Sequence, residues 1–320
     1  MLEGQVPGVS FAVFDDQGVL YEYVGGLKSQ ATRAPIDEST VLAAASISKP
    51  MFAYIVHSLA REGALDLDAS LATLVPRVPD VAYDSRSSSL TPRILLMRSS
   101  GLPNWRSCMN FEALSPSELF APDDTLRFVT DPGTEYRYSG EGYVLLQRVV
   151  EQTTGQSLNE LARERVFEPL GMTRSSFLFD AEIQRNYSLG HDAQGTPSKL
   201  RIHLALASTT LHTTASDLAR FGAHLASEIR TEGYYSALAK PAVILETVGD
   251  VEHSWGPGLG IVTDGSRIYV FHTGNNVIFI ADFMYGVDEN LGYALLTNSS
   301  NGPRITAAVQ RRIFGRQVRR

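Results

Sequence analysis

Cysteine is almost missing from this chain. Cys108 stands alone among 320 residues, so no internal disulfide framework exists, and no base-bearing motif surrounds it to make it a nucleophile. No stretch of 18 apolar residues occurs, which excludes a membrane-spanning helix. Positive charge is in deficit, with a net charge of −7, and that balance builds no basic face for a nucleic-acid partner. The basic tail Arg311-Arg312, Arg316 and Arg319-Arg320 reads as a solvated helix end. No signal peptide is expected from the opening residues: Met1-Leu2-Glu3-Gly4-Gln5 has neither a basic start nor a long apolar stretch. Cytoplasmic location is therefore the default expectation, while a periplasmic or secreted chain trimmed of its leader would read the same. No Gly-x-Ser-x-Gly elbow, His-Glu-x-x-His pair or paired Cys-x-x-Cys occurs, so neither an α/β-hydrolase nor a zinc site is expected, and no cofactor is implied. Gly256-Pro257-Gly258-Leu259-Gly260 is glycine-rich without the strand–turn–helix setting of a nucleotide site.

What is present describes an ordinary globular chain, 43% apolar with both charge signs interspersed. Val9–Phe14 and Val19–Val24, joined by Asp15-Asp16-Gln17-Gly18, read as a β-hairpin. A helix is expected over roughly 46–62 with Gly63 as its stop. Residues from about 70 to 200 read as mostly helical, broken by loops such as Val75-Pro76-Arg77-Val78-Pro79. Gly140–Thr154 is apolar at helical spacing and ends at Gly155, and Ser157–Glu160 and Thr214–Asp217 read as capping boxes. Strands return at 260–262, 267–271, 277–283 and 292–297, before a helix with Pro303 at its first position and Ile305, Ala308 and Ile313 on one face. The expected fold is α/β of the α+β kind: an antiparallel sheet flanked by helices and built from both termini, with a mostly helical domain inserted. Residues 1–69 and 205–320 would form the discontinuous sheet domain and 70–204 the helical one.

One pattern carries chemistry. Ser46-Ile47-Ser48-Lys49 opens the apolar run Pro50–Leu59, and residues three apart share a helix face. The Ser46 hydroxyl and the Lys49 ammonium are therefore expected as neighbours at a helix N-terminus, where unpaired N–H groups and the helix dipole lower a lysine's affinity for its proton. A serine becomes a nucleophile when a nearby base takes its proton, and such a lysine can be that base. The alternative for Ser46 is a helix cap beside a solvated lysine.

Two further segments join this one: Tyr136-Arg137-Tyr138-Ser139-Gly140-Glu141, with tyrosine at a loop-to-helix junction, and Phe271-His272-Thr273-Gly274-Asn275, where a strand ends in small residues. The three together resemble the motifs of the serine β-lactamase and penicillin-binding protein superfamily, most of all class C β-lactamases and the carboxylesterases sharing their fold. Leu95–Trp105, Val166-Phe167-Glu168-Pro169-Leu170-Gly171-Met172 and Leu296–Gly302 extend the likeness in the family's order over nearly the whole chain. The resemblance implies an active site between the two domains. Ser46 would be the acylated nucleophile, with Lys49 and Tyr138 sharing protons as base and acid, the first acceptor left open. The Ser46 and Asn275 N–H groups would form the oxyanion hole, and Trp105, His272, Thr273 and Gly274 would contact substrate. Tyr136 is the competing tyrosine and Tyr143 reads as helix core.

Departures from the family pattern bear on substrate. Gly140 stands where asparagine is usual, and Glu141 is left either to pair with Lys49 or to be a solvated first-turn residue. His272 stands where lysine is common, and its ordinary pKa of ~6.5 leaves it mostly uncharged at neutral pH. Arg267 could anchor a carboxylate or lie on a strand surface. The resemblance thus points to a serine hydrolase working through an acyl-enzyme, with a small-molecule ester or amide as partner and a short-chain carboxylesterase as the leading expectation. A D-stereospecific peptidase or amidase, a weak β-lactamase, an acyltransferase and a non-catalytic penicillin-type binding module are the alternatives. The sequence sets no oligomeric state.

Overall fold

The computed structural model describes residues 5–76, 81, 84–110, 113–115, 118–121, 124–199, 202–231 and 243–318. The end of the Pro-rich loop at 75–79, the first four residues and the Arg319-Arg320 tail lie outside that set. Strands, in chain order, are β1 (Gly8–Phe14), β2 (Val19–Ser29), β3 (Ala34–Pro35), β4 (Leu42–Ala45), β5 (Gly190–His191), β6 (Pro197–Ser198) and β7 (Leu211–Thr213). After them come β8 (Val243–Val248), β9 (Val251–Trp255), β10 (Gly260–Asp264), β11 (Arg267–Asn275), β12 (Ile280–Gly286) and β13 (Leu291–Thr297). The α-helices are α1 (Ser48–Arg61), α2 (Leu71–Leu74), α3 (Pro92–Leu96), α4 (Gly140–Thr154), α5 (Leu158–Ala162), α6 (Ala181–Arg185), α7 (Ala215–Arg230) and α8 (Pro303–Phe314).

Nine strands form one antiparallel sheet in the order β3-β2-β1-β13-β12-β11-β10-β9-β8. The first strand lies beside the last, with Val9 opposite Thr297 and Phe14 opposite Gly292, so the sheet is built from both ends of the chain. Alternation along β13 sorts side chains between two layers. Ala294 and Leu296 join the large core with α1 and α7, whereas Tyr293 and Leu295 join a second core that includes Phe314 of α8. Phe14 fills the first layer, stacked on Phe283 at 5.6 Å and Tyr285 at 6.1 Å. A Cβ at Gly222 of α7 or at Gly292 of β13 would come within 2.4 Å of its ring, so both glycines exist to admit it.

Several expectations shift in detail. No α-helix occurs among the described residues between Met97 and Ser139. This stretch is tied down by loop hydrogen bonds instead, including Gly133 N–H to Ser99 at 2.7 Å and Arg137 N–H to Arg98 at 2.6 Å. The apolar run 277–283 is a turn followed by a strand, because Asn275 Oδ1 accepts the Val277 N–H at 2.7 Å and closes the turn. Val277 takes a left-handed φ of +66° there, an outlying conformation for a β-branched residue. Strands β8 and β9 had no counterpart in the sequence reading. Ser157 and Glu160 form the expected capping box, but at Thr214 only half of one exists: Thr214 accepts the Asp217 N–H at 3.1 Å, while the Asp217 carboxylate serves the Arg174 N–H and the Ser175 hydroxyl. On α8, Ile305 and Ile313 pack inward with Val309, and Ala308 faces solvent. No described helix is long and apolar enough to cross a membrane.

Phe14→Ala is expected to lower unfolding free energy by about 3–5 kcal/mol, the range for emptying a large aromatic site. Urea denaturation reads this directly, and a loss under 1 kcal/mol would mean the two glycines collapse onto the space.

Candidate active site

Strand β4 pairs with β7 in a small buried ribbon, Leu42 opposite Thr213 and Ala45 opposite Leu211. At its end Ala45 holds a φ of +50°, an uncommon left-handed turn for a residue with a Cβ. This bends the chain out of the strand, so Ser46 precedes α1 and its hydroxyl is not a helix cap: the N-cap position is Ile47 and makes no side-chain cap bond. Helix α1 is buried from Ser48 to Leu59, which carries Lys49 into the interior at 1% exposure. Its Nζ donates to Ser46 Oγ at 3.1 Å and to the Ser208 carbonyl. From the opposite side the Tyr138 hydroxyl meets Ser46 Oγ at 2.8 Å. Tyr138 is set there by the start of α4, where Ser139 accepts the Gly142 N–H at 2.9 Å and donates to the Pro103 carbonyl at 2.7 Å.

Burial in low dielectric disfavours the ammonium, and Arg98 repels it, so the Lys49 pKa falls from 10.5 to about 8 despite the opposing pull of Tyr138. For Tyr138 burial opposes ionisation. The charges of Lys49 and Arg98, with hydrogen bonds from Lys49 and Ser46, outweigh it and bring the phenol from 10.0 down to about 8. The two groups therefore titrate as a pair. A hydroxyl lies between them within reach of either base.

The third motif is arranged differently from the expectation. His272 Nδ1 donates to the Thr273 carbonyl at 2.7 Å, and Nε2 faces an Arg98 guanidinium NH2, which can only donate. The ring is thus the neutral tautomer with its proton on Nδ1. Gly274 meets a packing requirement of the fold: a Cβ there would lie 2.3 Å from the Ala44 carbonyl oxygen, so glycine lets β11 press against β4. Strand β10 pairs with β11 only as far as Phe271, leaving the His272–Asn275 edge free of a strand neighbour on that side.

A cavity of about 470 Å³ opens over the serine, lined by Ser46, Lys49, Tyr138, Trp105 and Asn275 together with Met109, Ile202, Asn276, Val277 and Ile278. Of the expected substrate contacts Trp105 lines it; His272, Thr273 and Gly274 do not. Thr273 and Gly274 instead line a hollow beside Pro303 and Thr306 of α8, and Asn275 borders both. Gly140 has a steric cause, since a Cβ would stand 2.6 Å from the Trp105 ring: the indole fills the space an asparagine would need. Asn104 beside it accepts the Gly140 N–H at 2.9 Å.

Neither expectation for Glu141 holds. It is 1% exposed and forms a two-pronged ion pair with Arg106, at 2.9 and 2.8 Å. Arg267 lies on the surface near Glu289, at 4.0 Å. Tyr136 accepts from Arg98 at 3.1 Å, and buried Tyr143 donates to the Leu96 carbonyl at 3.2 Å. Arg98 escaped the sequence reading, although a charged residue inside Leu95–Leu102 was its one visible signal. Asn276 escaped too, because turn residues carry no periodic pattern.

Known proteins resemble this chain over nearly its whole length. Residues 1–315 match the Beta-lactamase family. Penicillin-binding protein 4 of Amycolatopsis lactamdurans is 31% identical over 59% of this chain and 49% of its own. Protein flp of Staphylococcus aureus (strain N315) is 24% identical over 92% of this chain and 60% of its own. The chain thus spans half to three-fifths of the length of these two curated relatives. Among solved structures, the octameric penicillin-binding protein homologue from Pyrococcus abyssi superposes with a TM-score of 0.83 at 25% identity, covering 99% of this chain and 75% of that one. A class C β-lactamase superposes with a TM-score of 0.76 at 20% identity, covering 93% and 89%, and shares the fold.

Substitutions at His272 and Gly140 check the geometry by chemical denaturation. His272→Lys puts a second donor against the Arg98 guanidinium and is expected to cost at least about 3 kcal/mol, whereas His272→Gln keeps an acceptor and should cost about 1 kcal/mol. Gly140→Asn overpacks against the indole and is expected to cost about 1–3 kcal/mol, with Trp105→Ala in the same chain recovering most of it.

Proposed function

The chain belongs to the beta-lactamase family, and from that premise we propose that it is a serine hydrolase working through an acyl-enzyme, with short-chain carboxylic esters as its substrates. The observation that carries this reading is the double contact at Ser46, with Tyr138 at 2.8 Å and Lys49 at 3.1 Å from one hydroxyl oxygen.

In acylation Ser46 Oγ bonds to the ester carbonyl carbon while its proton passes to the Lys49–Tyr138 pair. The Ser46 and Asn275 N–H groups receive the oxyanion, each donor contributing about 3–4 kcal/mol to the transition state. Collapse breaks the ester C–O bond, and the departing alkoxide takes the proton back from Tyr138. A water then attacks the acyl-Ser46 carbonyl, losing its proton to the same pair. The acyl C–Oγ bond breaks, Ser46 Oγ takes that proton back from the pair, and the carboxylic acid leaves.

Three features favour esters over β-lactams. The indole of Trp105 covers the position where an amide side chain would meet an acylamino group. His272 is a neutral ring turned to Arg98, not a cation facing a substrate carboxylate. Met109, Ile202, Val277 and Ile278 give the cavity an apolar wall suited to a small alkyl group. The penicillin-binding names of the relatives support a D-stereospecific peptidase or weak β-lactamase as the second reading.

Incubation with p-nitrophenyl esters, D-amino-acid anilides and a chromogenic cephalosporin, followed by mass spectrometry of the acylated residue, separates the two. The expected result is fastest release from esters with the acyl group on Ser46; faster cephalosporin turnover would overturn the ester reading. Ser46→Ala is expected to abolish turnover and fluorophosphonate labelling. Lys49→Ala and Tyr138→Phe should each lower kcat at least about 10²-fold, and an undiminished rate in either would remove that residue from the mechanism. Because the pair must lose one proton before it can accept another, kcat/KM should rise with pH to a midpoint near the pKa of about 8 shared by Lys49 and Tyr138. A profile already flat below pH 7 would contradict the assignment.

A further inference from the structure

Arg98 heads the large side chains sealed inside the molecule, at 2% exposure. It sits in the loop after α3, and its guanidinium carbon lies 4.2 Å from the centroid of the Tyr138 ring and 3.7 Å from that of Trp255. One NH group donates to the Tyr136 hydroxyl at 3.1 Å and another to His272 Nε2. Its Nε has no partner among the described residues. None of these neighbours is a carboxylate.

A cation removed from water is expensive unless something neutralises it. Two aromatic faces and two neutral acceptors offset part of that cost, and a group able to become an anion would offset more. The titratable groups gathered around Tyr138 are Lys49 from α1, Arg98 from the loop after α3, Tyr136 from its own segment, Tyr143 from α4 and, through Arg98, His272 from β11. Tyr143 is held protonated, pushed up to about 12 by burial. His272 is neutral and turns its lone pair to the guanidinium. Among these phenols, Tyr138 is the one that touches Ser46.

We propose that Arg98 is a positioning residue for Tyr138: a permanent cation clamped against the phenol ring by His272 and Trp255, stabilising the phenolate and standing in for the charge that His272 does not carry. The inference rests on the serine-hydrolase reading above. The same charge repels the Lys49 ammonium, so both members of the pair are pushed toward losing a proton. A purely mechanical role, tying the loop to β11, would lower activity by the same factor at every pH.

The test compares wild type with Arg98→Met, Arg98→Gln and Arg98→Lys, using a p-nitrophenyl ester across pH and the ultraviolet tyrosinate absorbance of the resting protein. Both neutral variants are expected to move the lower limb of kcat/KM up by at least about one pH unit, a tenfold loss at neutral pH that shrinks as pH rises. The tyrosinate titration that Tyr138→Phe removes should move with it. Arg98→Lys should keep the limb within a few tenths of a unit of wild type. An unmoved limb in the neutral variants overturns the proposal while ester turnover by wild type keeps the hydrolase reading. Failure of wild type to acylate Ser46 overturns that reading itself. If neither neutral variant folds while Arg98→Lys does, the guanidinium is a structural ion and the proposal falls.

Discussion

At the centre of this molecule an ammonium is buried beside a hydroxyl, a carbonyl and a phenol, with no carboxylate bonded to it among the described residues. Everything around it follows from keeping that group dry without giving it a carboxylate. Helix α1 must be enclosed on all sides to take Lys49 inside, and it is buried from Ser48 to Leu59. The Ser46 turn must be exact in direction, and it is set by the left-handed Ala45 at the end of a ribbon pressed against β11 through Gly274. A carboxylate beside Lys49 would hold its proton. The groups present instead leave that proton weakly held, which a shared acid–base role requires.

The two departures from the superfamily's motifs have separate physical accommodations. At Gly140 the missing side chain is replaced in space by an indole from the preceding loop, so a polar contact becomes an apolar wall. At His272 the missing charge reappears on Arg98, brought in from another loop, with the imidazole serving as its acceptor. Glu141, freed from any role toward Lys49, anchors Arg106 and with it the loop that carries Trp105. The loop between Met97 and Ser139 has no helix among its described residues, yet it furnishes the side chains that distinguish this site from the superfamily pattern, as loops on a rigid frame commonly do.

Much of the frame was legible in sequence because it rests on local pattern. Alternation along β1 and β13, the apolar run of α1, the αL stop at Gly155 and Pro303 at the start of α8 are each readable within a dozen residues. Readings went astray where a specific side-chain hydrogen bond outweighed the composition pattern. Val277-Ile278-Phe279 has strand composition, yet an asparagine side chain closes a turn through it. Thr214 and Asp217 have the spacing of a capping box, yet a distant loop claims the carboxylate.

The sequence by itself determined the strand patterns at both ends of the chain, the apolar run of α1, and the closeness of Ser46 to Lys49 across one turn of the chain. These depend on periodicity and backbone geometry, which act over short distances. Only the tertiary structure decided the partner of Glu141, the reason for Gly140, the tautomer of His272 and the burial of Arg98 between two rings. Those are contacts between segments tens to hundreds of residues apart, and their strength depends on exclusion of water, which no local pattern encodes.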